Sequence, residues 1–210
     1  MNALQHARFW LLTMLVILLV MPALIPGDSV LDRLRRESDA IVDLFGPGYG
    51  GAVVRSANAI YRTAFVETGL ETMVAAGNTA VREQRRVDPV AHAGQQAGRF
   101  FNGYLYSALV HAYGVIQRGV LGCFWLVILA PLLLAVVVDG VTIRRIKVAT
   151  FGSFSPTLYS AGTHAVVLAI FLPLLYMTFP TYVSPWFLPL FALGAAIPLS
   201  LAVANAARMA

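Results

Sequence analysis

GVLGCFWLVILAPLLLAVVVDGVTIRRIK, residues 119–147, is the stretch whose reading decides the fold. Residues 119–138 carry no charge, and at helical rise they cover about 30 Å, the thickness of a bilayer's hydrocarbon core. Asp139-Gly140 closes the run, and Arg144, Arg145 and Lys147 follow at once. Basic residues just beyond a span stay on the cytoplasmic side. The stretch therefore implies a membrane helix and the direction in which it is threaded.

The rest of the chain agrees with a membrane protein. Of 210 residues, 59% are hydrophobic and only 12% charged, about half the charge of a soluble domain. The net charge of +5 does not mark a nucleic-acid surface. Residues 28–118 hold ten arginines against nine acids, interspersed rather than gathered in a stripe, so no direct nucleic-acid partner is expected. The lone cysteine, Cys123, rules out an intramolecular disulfide and is expected to pack as a small apolar residue. No Walker, Rossmann or H-E-x-x-H pattern occurs, and neither metal nor cofactor is expected.

Outward from the central run, residues 9–25 form another apolar stretch with Arg8 before it. A cleaved signal peptide is the rival reading. The run is longer than a signal peptide's apolar region and no small-residue cleavage site precedes Asp28, which favours an uncleaved anchor. Residues 161–179 and 186–203 are further apolar runs, and the short link between them, with Pro180, Ser184 and Pro185, forces an antiparallel hairpin. The expected fold is an all-α membrane protein with four transmembrane helices and a helical extracytoplasmic domain between the first and second. Its parts are an anchor at 1–27, the extracytoplasmic helical domain at 28–118, a second span at 119–139, a basic cytoplasmic loop at 140–160 and a hairpin with a short tail at 161–210. Arg8, Arg144, Arg145, Lys147 and Arg208 then share the cytoplasmic side, with both termini inside.

Within 28–118, Ser29 and Asp32 resemble a capping box ahead of Val30, Leu31, Leu34, Ile41, Val42 and Phe45 at helical spacing. Gly46-Pro47-Gly48-Tyr49-Gly50-Gly51 reads as a stop; without a following Lys-Ser/Thr it is no phosphate cradle. A second helix is expected from Ala52 to about Thr68, with Val54, Ala57, Tyr61, Ala64 and Phe65 on one face, and Gly69 interrupts it. Arg82 to Arg86 form a solvated charge run, and Asp88-Pro89 suits the start of a long helix running into the membrane. Phe100, Phe101, Tyr104, Tyr106 and Tyr113 fit either an interfacial belt or a soluble aromatic core. His111 and Arg118 near that boundary read as headgroup-level or core-packed residues.

Few residues offer chemistry. Asp139 is the one acid near the hydrocarbon; such a charge marks either an ion path or, as expected at a helix end beside Arg144, an interfacial ion pair. No helix midpoint carries a charge, so an ion-coupled pump lacks its parts. His164 lies near Ser160 and Thr163, but nothing names the geometry of a serine hydrolase. The protein is expected not to be an enzyme. Ala192, Ala196, Ser200 and Ala204 recur every four residues, a small-residue face suited to close helix packing within this chain, with another protein or in an oligomer. Asp139, Arg144, Arg145 and Lys147 are the candidate topology and partner-contact residues.

Phe65-Val66-Glu67-Thr68-Gly69-Leu70, Val138-Asp139-Gly140 with Arg144-Arg145-Ile146, the segment from Phe151 to Tyr159, and Pro180, Ser184 and Pro185 in the last link together resemble a family of membrane proteins of integrating conjugative elements and plasmids, grouped mainly as a domain of unknown function. The resemblance implies a component of a conjugative type IV secretion system in the bacterial inner membrane. Its implied partners are membrane lipid and other conjugation subunits, the coupling ATPase among them. It supplies no catalytic residue. A small transporter or pore subunit is the alternative.

Overall fold

An apolar run placed in hydrocarbon has to satisfy its own backbone, and a helix does so within one segment. In the computed structural model, which describes residues 3–74, 76 and 92–206, all four apolar runs lie in helices. α1 is Ala3–Leu24, α2 Gly27–Tyr61, α3 His92–Ala149, α4 Pro156–Thr178 and α5 Phe187–Asn205. No strand occurs among the described residues. By length and composition α1, α3, α4 and α5 are able to cross a membrane. Leu11, Leu12, Leu15 and Leu19 of α1 and Leu126, Val127 and Ile128 of α3 are exposed, as befits helices that are apolar all round. Cys123 is exposed with them rather than packed inside. Gly77-Asn78, the charge run at 82–86, Asp88-Pro89 and Arg208 lie outside the described residues.

α2 starts earlier than the capping-box reading places it. It begins at Gly27 after Pro26 with no side-chain cap, and Ser29 N–H bonds instead to the Pro26 carbonyl. Gly27 is where α3 comes closest: a Cβ there would lie 2.7 Å from a Tyr106 ring carbon. The glycine-rich stretch does not end the helix for long. Only Gly46 leaves helical geometry (φ 76°, ψ 167°), a conformation open to glycine. Pro47 restarts the helix, its fixed φ suited to a first turn. The second half folds back so tightly that a Cβ on Gly50 would sit 2.7 Å from the Ile41 carbonyl oxygen. Val30, Leu34, Glu37 and Ile41 form the buried stripe of the first half. In the second half Val53 and Ala57 are buried, while Ala64, beyond its end, is exposed. A π-helical turn at Arg62–Val66 follows, then Gly69 at φ 77° and a short helix at 70–74.

α3 is a single helix of 58 residues. It passes straight through the segment expected to open a cytoplasmic loop: residues 140–149 are helical, and only 150–155 form the turn before α4. Three causes keep it helical. No proline intervenes between Pro131 and Pro156, Thr142 Oγ1 returns a hydrogen bond to the Val138 carbonyl at 2.8 Å, and Arg144, Arg145 and Lys147 suit the negative end of the helix dipole. α4 then starts at Ser155-Pro156, where the serine Oγ accepts the Leu158 N–H at 3.2 Å and proline takes the first helical position.

The helices group into two compact units. One consists of Met14–Leu121 with Met177–Pro185; the other of Met1–Thr13, Gly122–Tyr176 and Trp186–Ala210. In the second unit α4 and α5 run antiparallel, as the short link requires. Gly162 near the start of α4 abuts Pro198 and Ala202 near the end of α5, and Tyr176 meets Phe187 at 4.2 Å between ring centroids.

Candidate functional site

The first unit is built around a buried ion pair. Glu37 lies on the α2 stripe between Leu34 and Ile41, and Arg118 lies on the α3 face that buries Ser107, His111, Gly114 and Leu121. Their side chains are 2% and 5% exposed. Arg118 Nε and Nη2 donate to the two Glu37 carboxylate oxygens at 2.9 and 2.7 Å, a fork-to-fork pair. Its remaining protons go to backbone: Nη1 donates to the Met177 and Phe179 carbonyls at 2.8 and 2.6 Å, and Nη2 to Thr181 at 2.6 Å. All five guanidinium donors are thereby used. Glu37 Oε1 also accepts the Val183 N–H at 2.8 Å, and Arg33 Nη1 donates to the Pro180 carbonyl. His111 bonds to the Thr178 backbone. A helix end leaves carbonyls without partners, and here the link after α4 finds its donors in α2 and α3.

Arg118 thus occupies the core-packed alternative expected for it. Glu37 was invisible to hydrophobic spacing alone. Its signal is a charge standing on an apolar stripe, three residues after Leu34 and four before Ile41.

The aromatic residues of this unit divide. Phe100 and Phe101 are exposed, whereas Tyr61, Tyr106 and Tyr113 line a cleft of about 550 Å³ with Asn58 and Glu71. Tyr113 donates to Asn58 Oδ1 at 2.8 Å and Tyr106 to Asp28 Oδ1 at 3.1 Å. Burial pushes the Tyr61 phenol above its ordinary value, and the charge of Glu71 adds to the effect. The aromatic segment is therefore part belt-like and part core.

The second unit holds the residues singled out from sequence. Asp139 is not at a helix end, because α3 continues for ten residues beyond it. Its Oδ2 accepts a hydrogen bond from Ser200 Oγ at 3.0 Å, and the two border a shallow groove with Ala196. Asp139 and Arg144 form no ion pair within 4.0 Å; the carboxylate's partner is on α5. Lys147 Nζ donates to Asn205 Oδ1 at 2.7 Å, and the same oxygen accepts the Ser155 N–H at 3.4 Å. Ala204 is buried, and Ala192, Ala196 and Ser200 are half-buried. The closest helix approaches come from glycines on neighbouring helices: a Cβ on Gly140 would lie 2.9 Å from the Ser200 carbonyl oxygen and 2.8 Å from Val203 Cβ. His164 stacks edge-on with His6 at 5.8 Å between centroids.

Arg144 and Arg145 line a cleft of about 520 Å³ with Val141, Val148, Ala149 and Phe154. The turn beside it closes α3 by a Schellman arrangement, Gly152 N–H to Lys147 carbonyl at 2.7 Å and Phe151 N–H to Val148 at 3.4 Å. Glycine usually takes the left-handed position of that motif. Here it is Phe151, at φ 53°.

Fold and polar sites together define an all-helical protein with four helices able to cross a membrane and a helical segment tied to the link between the last two. The chain belongs to the DtrJ-like family, described as IncC plasmid conjugative DNA transfer protein DtrJ-like, whose profile matches residues 28–209. It is a protein of conjugative DNA transfer. No curated protein and no solved structure matches it.

Proposed function

We propose that this protein is a non-enzymatic inner-membrane scaffold of a conjugative type IV secretion apparatus. It acts through contacts with other transfer subunits, the coupling ATPase among them. Both termini face the cytoplasm, and residues 28–118 face outward, since Arg8, Arg144, Arg145 and Lys147 then share the inner side. Within the family's role in transfer, one observation carries the scaffold reading. The most buried charges, Glu37 and Arg118, spend their hydrogen bonds on each other and on the backbone at 177–183, which makes a rigid tie rather than a group free to move protons or bind solute.

The test is mating from a donor that lacks the gene and is complemented in trans. Wild-type protein restores transfer, a version lacking residues 30–115 does not, and crosslinking in the donor captures transfer subunits. Unchanged transfer by the truncated version overturns the reading. So does a reporter at residue 77 that is active only in the cytosol, or solute flux through the purified protein alone in liposomes.

A further inference from the structure

We propose that His111 is a proton-operated latch on the link between α4 and α5: with a neutral ring, residues 177–183 lie closed against α2 and α3, and protonation opens them. The imidazole is 4% exposed. One ring nitrogen donates to the Thr178 backbone, while Nε2 is buried and has no hydrogen-bond partner, which leaves Nδ1 as the donor. Arg118 grips the carbonyls on either side, Met177 and Phe179, at 2.8 and 2.6 Å, so its guanidinium lies close to the imidazole. Of the charged groups in this packing, α3 supplies Arg118 and α2 supplies Glu37 and Arg33. Both oxygens of Glu37 are bonded to Arg118, and Arg33 donates to Pro180. Residues 177–185 carry no charge, and Tyr182 is their one titratable side chain. A proton added at Nε2 thus meets no acceptor among the described residues.

Protonation does not weaken the Thr178 bond, since an imidazolium donates more strongly than an imidazole. It places a charge where water is excluded, beside the like charge of Arg118, and adds a buried donor without an acceptor. Burial is the largest of these effects and pushes His111 below the ordinary histidine value; the Thr178 bond opposes it only in part, and the Arg118 charge reinforces it. The cost is relieved when water reaches the ring, and the link is the element that gives way. α2 is packed on α3 by an apolar stripe, with Leu34 Cδ2 3.0 Å from where a Cβ on Gly114 would stand. Residues 179–184 belong to no helix and are held through their backbone by Arg118, Arg33 and Glu37. Such a segment opens locally before a helix pair does. Once open, it leaves an ordinary histidine, which titrates near 6.5. The open form therefore binds more protons than the closed form below about pH 6.5, so the link is fully closed above that pH and loosens as the pH falls. The latch acts on the tie described above and does not depend on what the protein scaffolds.

The experiment uses the full chain purified in a neutral detergent. Amide hydrogen exchange is followed by mass spectrometry at pH 7.5, 6.5 and 5.5, each rate being corrected for the intrinsic effect of pH. Protection of peptides covering 177–183, which include the Val183 N–H bonded to Glu37, is expected to fall by as much as about tenfold between pH 6.5 and 5.5, the limit for one proton per opening. Peptides from the middle of α4 and α5 keep their protection. H111N puts an amide donor near the place of Nδ1 and cannot take up a proton; its link is expected to stay closed at all three values. Unchanged protection of 177–183 in the wild-type protein overturns the proposal, and so does an equal loss in H111N, which would put the sensor elsewhere. Loss of protection throughout α4 and α5 at pH 5.5 overturns it in favour of general acid unfolding. Where H111N does not fold, the proton count decides: a fall steeper than tenfold per pH unit requires more than one proton and overturns a latch built on His111 alone.

Discussion

Arg118 serves two purposes, and they separate by mutation. Toward Glu37 it is one half of a buried ion pair; toward Met177, Phe179 and Thr181 it is the donor for three carbonyls. Removing either partner of a buried pair costs about 3–5 kcal/mol. Glu37→Gln keeps an acceptor for the guanidinium and is expected near the low end. Arg118→Met also strips the carbonyls of their donors, each worth about 1–3 kcal/mol when left unsatisfied, and is expected to cost clearly more. Thermal unfolding of both variants in detergent checks the order, and equal losses would show that the link does not depend on Arg118. Phe151 offers a second test with the opposite sign. Relief of a left-handed backbone is worth about 1–2 kcal/mol, so Phe151→Gly is expected to raise stability by about 1 kcal/mol in the same assay. These two residues also mark where the sequence was hard to read. Glu37 looks like one more surface acid until α3 and the link surround it, and no local pattern announces a phenylalanine in a position made for glycine.

Elements were easier. Uncharged length alone located all four apolar helices, because hydrocarbon leaves a backbone no other partner than itself. The hairpin of α4 and α5 followed from a link too short for any other course. What misled was the assumption that charge ends a helix. Arg144, Arg145 and Lys147 lie beyond the apolar run and read as a loop at 140–160, yet arginine and lysine are good helix formers. The break in α2 differs in the other direction: the glycine-rich stretch reads as a stop, yet only Gly46 in it leaves helical geometry. Packing between elements turns on glycines that face a neighbour, which sequence does not distinguish from those that do not. Gly140→Ala places a Cβ 2.8 Å from Val203 Cβ and is expected to destabilise by about 1–3 kcal/mol, as overpacking does. Gly194→Ala on α5 meets nothing within 4 Å and is expected to stabilise by up to about 1 kcal/mol, since alanine is the better helix former. Thermal unfolding of the two variants side by side tests the contrast.

At the scale of the whole molecule, the four membrane-capable helices agree with the number of spans expected from composition. Which helices share a unit was not legible. Residues 177–185 lie far along the chain from α2, and nothing in their local pattern shows that they join its unit. The reason is physical: a bare carbonyl leaves no mark in a sequence, so the partner of Arg118 is unreadable until the chain is folded. Reversing charge at Arg144, Arg145 and Lys147 together is expected to invert or scatter the topology, read by reporters at residue 77 and at the carboxyl end; unchanged reporter activity would detach orientation from this cluster.

The grip of Arg118 on 177–181 bears on how the protein is made. A ribosome releases α2 and α3 before α4 and α5, so the guanidinium is waiting when the late carbonyls arrive. Nick the gene in the 150–155 turn and produce the halves separately: the later half carries exposed oxygens that only the earlier half can cover. Such halves are expected to find each other in the membrane and co-purify, and Arg118→Met in the earlier half should leave them strangers.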